Sequence, residues 1–286
     1  MPRRLLALLL AVACLSVRAQ NTHLWKVTDP QSNRVSYLFG TLHLFGNSFV
    51  DSFPAIRASL EACDVVLTEA PLDSATLRRL YEARPPSAGL SESLAPDDLA
   101  LLQSIINRRR RADLARLTPG ELLLRLQAYY PLLKCPVVSA SDSIYMDEYI
   151  QLLGRQAGKR AAYFESDSFQ LARVGELSAR IDWSYFRKVA PAWLALYRKS
   201  GVEAGRCGLV ERYAALADDY KLDDDCRRQD ALLLRNRNAD WMTRLPALLR
   251  ADACFVAVGR GHLERRCGLI SELRRLGFRV EPVAMR

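Results

Sequence analysis

Histidine is scarce in this chain: three occur in 286 residues, at positions 23, 43 and 262. No CxxC pair and no finger-like Cys/His spacing occurs, which excludes a zinc-finger fold. No G-x-S-x-G elbow is present, so a serine triad of the α/β-hydrolase kind lacks its nucleophile turn. Neither a P-loop nor a dinucleotide fingerprint appears. There is no tandem repeat and no low-complexity tract. Past residue 19 no apolar run is long enough to span a bilayer. Basic residues outnumber acidic ones, 41 to 32, giving a net charge of +9. The most basic point, Arg108-Arg109-Arg110-Arg111, follows Ile105-Ile106 on a predicted helix and has no interleaved aromatics. It reads as a solvated helix end, and nucleic acid is not an expected partner.

What is present begins with a leader. Met1-Pro2-Arg3-Arg4 is a basic start, Leu5 to Leu15 is apolar, and Val17-Arg18-Ala19 offers a signal-peptidase site. Residues 1–19 are expected to be a secretory signal cleaved before Gln20. Lipidation at Cys14, after Ala11-Val12-Ala13, is the alternative. Losing Arg3, Arg4 and Arg18 brings the net charge to about +6. The location expected is periplasmic or secreted, with no membrane segment in the mature chain. Six cysteines then remain, at 63, 135, 207, 226, 254 and 267. An even number in an exported chain suggests disulfides, and Cys207–Cys226 is the expected pair, because the two bracket a short helical segment. Buried free thiols are the other reading.

Half of the residues are apolar, enough for one large core or two modest ones. Leu24–Val27 and Val35–Phe39 read as a hairpin around Asp29-Pro30-Gln31-Ser32-Asn33. Pro54–Ala62 reads as a helix capped by Asp51 or Ser52. Apolar strands are predicted at 64–68, 136–139, 161–164, 254–258 and 278–283, with helices at about 146–156 and 269–276. Gly277 is placed to cap the last helix. The stretches 73–130 and 168–250 read as largely helical, the second with a kink at Pro191. Strands separated by helices predict an α/β fold. Its central sheet would be mainly parallel with crossover helices, and a largely helical insert would cover the C-terminal strand ends.

The histidines fall in matching settings. "YLFGTLH" and "FVAVGRGH" each give an apolar strand, a glycine, two residues and a histidine: Gly40/His43 and Gly259/His262. Glu69 and Glu165 each terminate an apolar strand. Ligands of open α/β sheets bind beyond the carboxyl ends of the strands. Four groups from distant parts of the chain are therefore expected on one rim, where glycine lets the backbone come close to a ligand. Two imidazoles and a carboxylate suit a divalent metal with a position left for water. A second carboxylate suits general-base work on that water. His43 and His262 are the candidate ligands; Glu69 is ligand or base, and Glu165 the other. Glu165 could instead cap the helix that follows it. His23 is expected exposed, at the mature N-terminus.

The segments "YLFGTLHLF", "CDVVLTEAPLD" and "CFVAVGRGHLERRCGLISELRRLGFRVEPV" resemble the TraB/GumN family, which includes the Tiki proteases. Two middle segments are also similar: "YMDEYIQLLGRQAGKRAAYFESDSFQ", giving Asp147, Glu165 and Gln170, and "RNADWMTRL", giving Arg237 and Asn238. The likeness runs from about residue 24 to 284, and the cysteine content departs from it. It implies an α/β domain of the Tiki/erythromycin-esterase-like type spanning 20–286. It also implies metal-dependent peptide hydrolysis with manganese or cobalt favoured and zinc compatible. Arg237 would orient Glu69 or hold a substrate carboxylate. Arg260 would stabilise an oxyanion or sit on the surface. Three functions stay open. They are a metal-dependent hydrolase of peptides, a protein that binds a peptide or small molecule without turnover, and a metal-free hydrolase with a histidine base. The substrate and the oligomeric state do not follow from the sequence.

Overall fold

A computed structural model describes residues 21–87, 89–107, 114–139 and 142–286. The leader with Cys14, and the run at 108–111, lie outside these residues. Six strands form one sheet: β1 (Leu24–Thr28), β2 (Val35–Thr41), β3 (Val65–Thr68), β4 (Arg160–Tyr163), β5 (Cys254–Gly259) and β6 (Arg279–Pro282). The order across the sheet is β4-β3-β5-β2-β1-β6. The pairings β2–β5, β5–β3 and β3–β4 are parallel, and β1 is antiparallel to both of its neighbours. The mainly parallel α/β sheet expected from the alternation of strands and helices is what the chain forms.

The helices α1 (Asn47–Asp51) and α2 (Pro54–Glu61) lie between β2 and β3. Between β3 and β4 run α3 (Ser74–Glu82), α4 (Pro96–Asn107), α5 (Pro119–Lys134) and α6 (Met146–Gln156). Between β4 and β5 run α7 (Asp167–Ser178), α8 (Trp183–Arg198), α9 (Gly208–Ala214), α10 (Asn236–Met242) and α11 (Leu245–Ala251); α12 (Leu269–Arg275) precedes β6. Each face of the sheet carries a core. Phe39, Val66 and Phe255 pack with Ile56, Met146, Ile150 and Tyr213 on one side. Leu38, Val256 and Val258 pack with Trp241, Leu245, Leu269 and Leu273 on the other. This follows from period-2 alternation in strands covered on both faces. A third core belongs to the helices alone, with Leu102, Ile106, Leu122, Leu126, Phe186 and Leu194. Both helical stretches contribute to it: α4 and α5 from the first, α8 from the second. The rest of the second stretch, α9 to α11, packs on the sheet instead.

Several local expectations are corrected. Residues 136–139 form a turn, not a strand, because Cys135 ends α5 and is tied sideways by a disulfide. Asp51 belongs to α1, and α2 starts at Phe53 with no side-chain cap, its first position being Pro54. Pro191 lies inside α8, which continues through it. Cys207 pairs with Cys135 and Cys226 with Cys267, not Cys207 with Cys226, while Cys63 and Cys254 are buried free thiols. His23 is fully buried rather than exposed. Its ring stacks on Tyr213 at 3.8 Å and bonds Tyr220 Oη and the Tyr213 carbonyl. No helix among the described residues is long and apolar enough to cross a membrane.

Candidate active site at the strand ends

Four parallel strands deliver their carboxyl ends to one rim. β2 leads to His43, β5 to Gly259 and then His262, β3 to Glu69, and β4 through Phe164 to Glu165. The last two rows stay paired past the strands: Glu165 N–H donates to the Glu69 carbonyl at 2.8 Å.

Glycine is required where the two histidine turns meet. A Cβ on Gly40 would stand 3.0 Å from Leu263 Cδ1 and Tyr220 Oη, and 3.3 Å from the Cα of Arg260. The Gly40 backbone is held at both ends: its N–H donates to the His23 carbonyl, and its carbonyl accepts from Tyr213 Oη, each at 2.8 Å. Gly259 donates its N–H to Glu69 Oε1 at 2.7 Å. A Cβ there would press on that oxygen at 3.2 Å and lie 3.9 Å from His43 Nε2.

Each imidazole is oriented from behind. His43 Nδ1 bonds the carboxylate of Asp147, at the start of α6, and Asp147 also accepts from Thr41 Oγ1 at 2.7 Å. His43 is the open member of the set, its side chain 63 % exposed against 3 % for His262. Asp147 raises the His43 pKa to about 9, against the opposing effect of desolvation. His262 Nδ1 lies 2.6 Å from Asn238 Oδ1, while Asn238 Nδ2 donates to the carbonyls of His262 and Cys267. That amide orientation puts the His262 proton on Nδ1 and the lone pair on Nε2. Burial lowers the His262 pKa to about 4, Glu69 opposing, so the ring is neutral.

Arg237 stands among the acids. Its Nε and Nη2 donate to the two oxygens of Glu165 at 2.7 and 2.8 Å, and Nη2 also donates to Glu69 Oε2 at 2.6 Å. Nη1 reaches the Leu233 carbonyl at 3.0 Å and His262 Nε2 at 3.1 Å. All five N–H groups are thereby engaged, so the guanidinium orients Glu69 and has no donor left for a substrate carboxylate. Its face lies over Trp241, whose ring also packs on Phe164 and His262. Burial would raise the Glu69 pKa, but the charge of His262, present in the acid range where that ring is protonated, together with Arg237, His43 and the Gly259 N–H, outweighs it and holds it at about 2. Gln170 of α7 bridges Glu69 and Glu165. Glu165 is turned toward Arg237, Trp241 and Gln170, so it backs Arg237 rather than facing the histidines. Arg260 points away, into an ion pair with the buried Asp218 at 2.8 Å and another with Glu264. It is neither at the surface nor aimed at Glu69, and it braces the second turn against Gly40.

His43, His262 and Glu69 thus converge around Gly259, with Asp147, Asn238 and Arg237 behind them. Glu69 Oε1 and His262 Nε2 are 3.6 Å apart. Among the described residues no three His, Cys, Asp or Glu side chains stand close enough together to hold a metal ion. Trp241, Tyr213 and His23 are the parts that sequence reading missed. Trp241, one helical turn after Arg237, was the visible signal for the first; nothing local marks the other two.

An α/β protein with two imidazoles and a buried carboxylate–arginine cluster at its strand ends is the class that fold and site define. The chain belongs to the TraB/PrgY/gumN family, which it matches over residues 23–282. No curated protein and no solved structure matches it.

Proposed function

We propose that this chain is an exported, metal-dependent hydrolase of peptides, with His43, His262 and Glu69 as ligands of one divalent ion. The observation that carries the reading is the common orientation of the two imidazoles. Each ties Nδ1 to a side-chain oxygen, of Asp147 or Asn238, as metal-binding histidines do. The donors fit in chemical type but not yet in position: the three are farther apart than one ion requires, so binding would have to draw His43 toward the Glu69–His262 pair. Glu69 is ionised and His262 offers a lone pair, both states that a ligand needs. The 3.6 Å between Glu69 Oε1 and His262 Nε2 suits two atoms each about 2.1 Å from one ion. Manganese or cobalt is the ion favoured by family resemblance. Held by His43, His262 and Glu69, such an ion would supply Lewis acidity toward a water and toward the scissile carbonyl. His43 must lose its Nε2 proton to serve as a ligand, so loading is favoured as pH rises. Arg237 keeps Glu69 ionised and fixes both glutamates in place, and Asp147 and Asn238 hold the rings in register. The leader sequence and two disulfides support export.

A metal-free hydrolase is the second reading, favoured by the Arg237 N–H directed at His262 Nε2. There the exposed His43–Asp147 pair would do the proton transfer. Elemental analysis separates the two. The mature protein is loaded with manganese or cobalt, desalted and assayed on a peptide mixture with and without chelator, beside His43→Ala. One equivalent of metal, absent in the variant, with chelator-sensitive cleavage is the expected result. Cleavage that survives chelation selects the second reading. Metal-free protein that retains peptides uncleaved selects a binding protein and rejects both.

A further inference from the structure

A cavity of about 310 Å³ opens between α7 and α10, with Glu165 and Arg237 in its wall. Phe169 and Arg173 line it from α7, Leu232 and Asp240 from the opposite side. Its charged groups are already paired. Glu165 is bound by Arg237, Arg173 by Glu176 at 2.6 Å, and Asp240 by Arg244 at 2.9 Å. With those charges paired, the surface left to a ligand is Phe169, 38 % exposed with Arg173 stacked 4.7 Å from its centre, Leu232 and the amide of Asn236. An exposed phenylalanine facing a cavity beside a carboxylate–arginine cluster is a contact awaiting an apolar partner.

The backbone between the cavity and the site is unusual in a way that serves both. Residues Ala231–Arg235 form a π-helical turn, a rare element that recurs at functional sites. Its extra residue turns three successive leucines to three tasks. Leu232 lines the cavity, the Leu233 carbonyl accepts from Arg237, and Leu234 packs 3.3 Å from where a Cβ of Gly261 would stand. The cavity wall is thus continuous with the groups that hold Glu69 and His262. Its volume is at the lower end for ligand sites and suits one large side chain rather than a multi-ring molecule.

From this we infer that the cavity is a specificity subsite taking one aromatic or large aliphatic side chain of an extended peptide, set apart from the bond that is cut by Arg237 and Glu165. The inference rests on the peptidase reading, and Phe169 and Leu232 are its specificity-determining residues.

The test uses a degenerate peptide library on the mature, metal-loaded protein and on Phe169→Ala and Leu232→Ala. Cleavage sites are read by mass spectrometry. In parallel, Glu69→Gln protein, with and without Phe169→Ala, is used to capture peptides from the same library. Cleavage and capture should both favour Phe, Tyr, Trp or Leu at one fixed position. That preference should fall about tenfold in either cavity variant, with small residues there little affected. Cleavage with the same positional profile in all three proteins overturns the subsite and leaves the peptidase intact. Capture with the preference, lost in Phe169→Ala, but no cleavage overturns the peptidase and keeps the subsite. Neither cleavage nor enrichment overturns both. Phe169 is partly exposed and outside the cores, so its truncation should leave the unfolding midpoint unchanged, which checks the fold.

Discussion

Replacing Arg237 by alanine tests how the buried acids are held. The side chain touches Glu69 and Glu165, which are 12 % and 5 % exposed. Glu69 has a pKa of about 2 in the fold against an ordinary 4.5. A group depressed in this way stabilises the fold above its unfolded pKa, and the contribution is lost as pH falls from about 4.5 toward 2. At 1.36 kcal/mol per unit, that contribution is about 3 kcal/mol near neutrality. Removing one partner of a buried ion pair typically costs about 3–5 kcal/mol, because the other charge is left uncompensated. Arg237 shares the holding of Glu69 at pH 7 with His43 and the Gly259 N–H, so we expect a loss of about 3 kcal/mol at pH 7. The assay is urea unfolding of wild type and Arg237→Ala at pH 7 and pH 3.5. In the variant Glu69 loses a counter-charge while staying buried, so its pKa rises and it takes up a proton in the folded state as the pH falls. The gap between the two proteins should therefore shrink to about 2 kcal/mol at the lower pH. The contribution of His23 is common to both and cancels, whereas His262 loses the repulsion of Arg237 in the variant and protonates more readily there, which narrows the gap at low pH in the same direction. A loss below about 1 kcal/mol at pH 7, or an equal loss at both pH values, refutes the reasoning.

Three further outcomes follow from particular contacts. Asn238→Ala frees the His262 ring and strands two carbonyls; manganese affinity by titration calorimetry should fall about 10–100-fold, and an unchanged affinity removes His262 from the ligand set. Gly40→Ala drives a methyl into Leu263, Tyr220 and the Arg260 backbone, and should cost about 1–3 kcal/mol in denaturant unfolding. If Gly40→Ala unfolds like wild type, the two histidine turns are not packed as described. Tyr213→Phe keeps the stack on His23 but leaves the Gly40 carbonyl buried without its hydroxyl partner, for a loss of about 1–3 kcal/mol by the same measurement. No loss there means that water or another donor replaces the hydroxyl.

The sheet was legible because its strands are apolar, short and spaced by helices, which leaves few arrangements other than parallel crossovers. The rim was legible for the same reason: Gly40/His43, Gly259/His262, Glu69 and Glu165 each follow a strand. What local sequence does not carry is direction beyond the strand end. Glu165 looked like a partner of the histidines, yet Trp241 and Arg237, supplied by a helix more than 70 residues away, turn it the other way. Arg260 lies inside the motif and points out of the site, because Asp218 waits for it. His23 looked terminal and wet; only the fold brings Tyr213 and Tyr220 around it. The disulfides show the same limit. Cys207 and Cys226 flank one helix, but α9 is tied back to the end of α5 and the second bond closes elsewhere. Spacing along the chain cannot choose among pairings set by tertiary packing.

The Cys226–Cys267 bond closes a ring of the backbone, and that ring contains Arg237, Asn238, Trp241, Gly259 and His262, with β5 running through it. Closing a loop of that span removes about 4 kcal/mol of freedom from the open chain. Half of the site is therefore a covalently bounded unit, while His43, Glu69, Asp147 and Glu165 lie outside it. The two halves meet along β5, flanked by β2 and β3, and through one arginine. Cys267 itself presents the carbonyl on which Asn238 steadies His262. Oxidation thus restricts, in the open chain, only the half that carries the second histidine and leaves the half that carries the first as free as before.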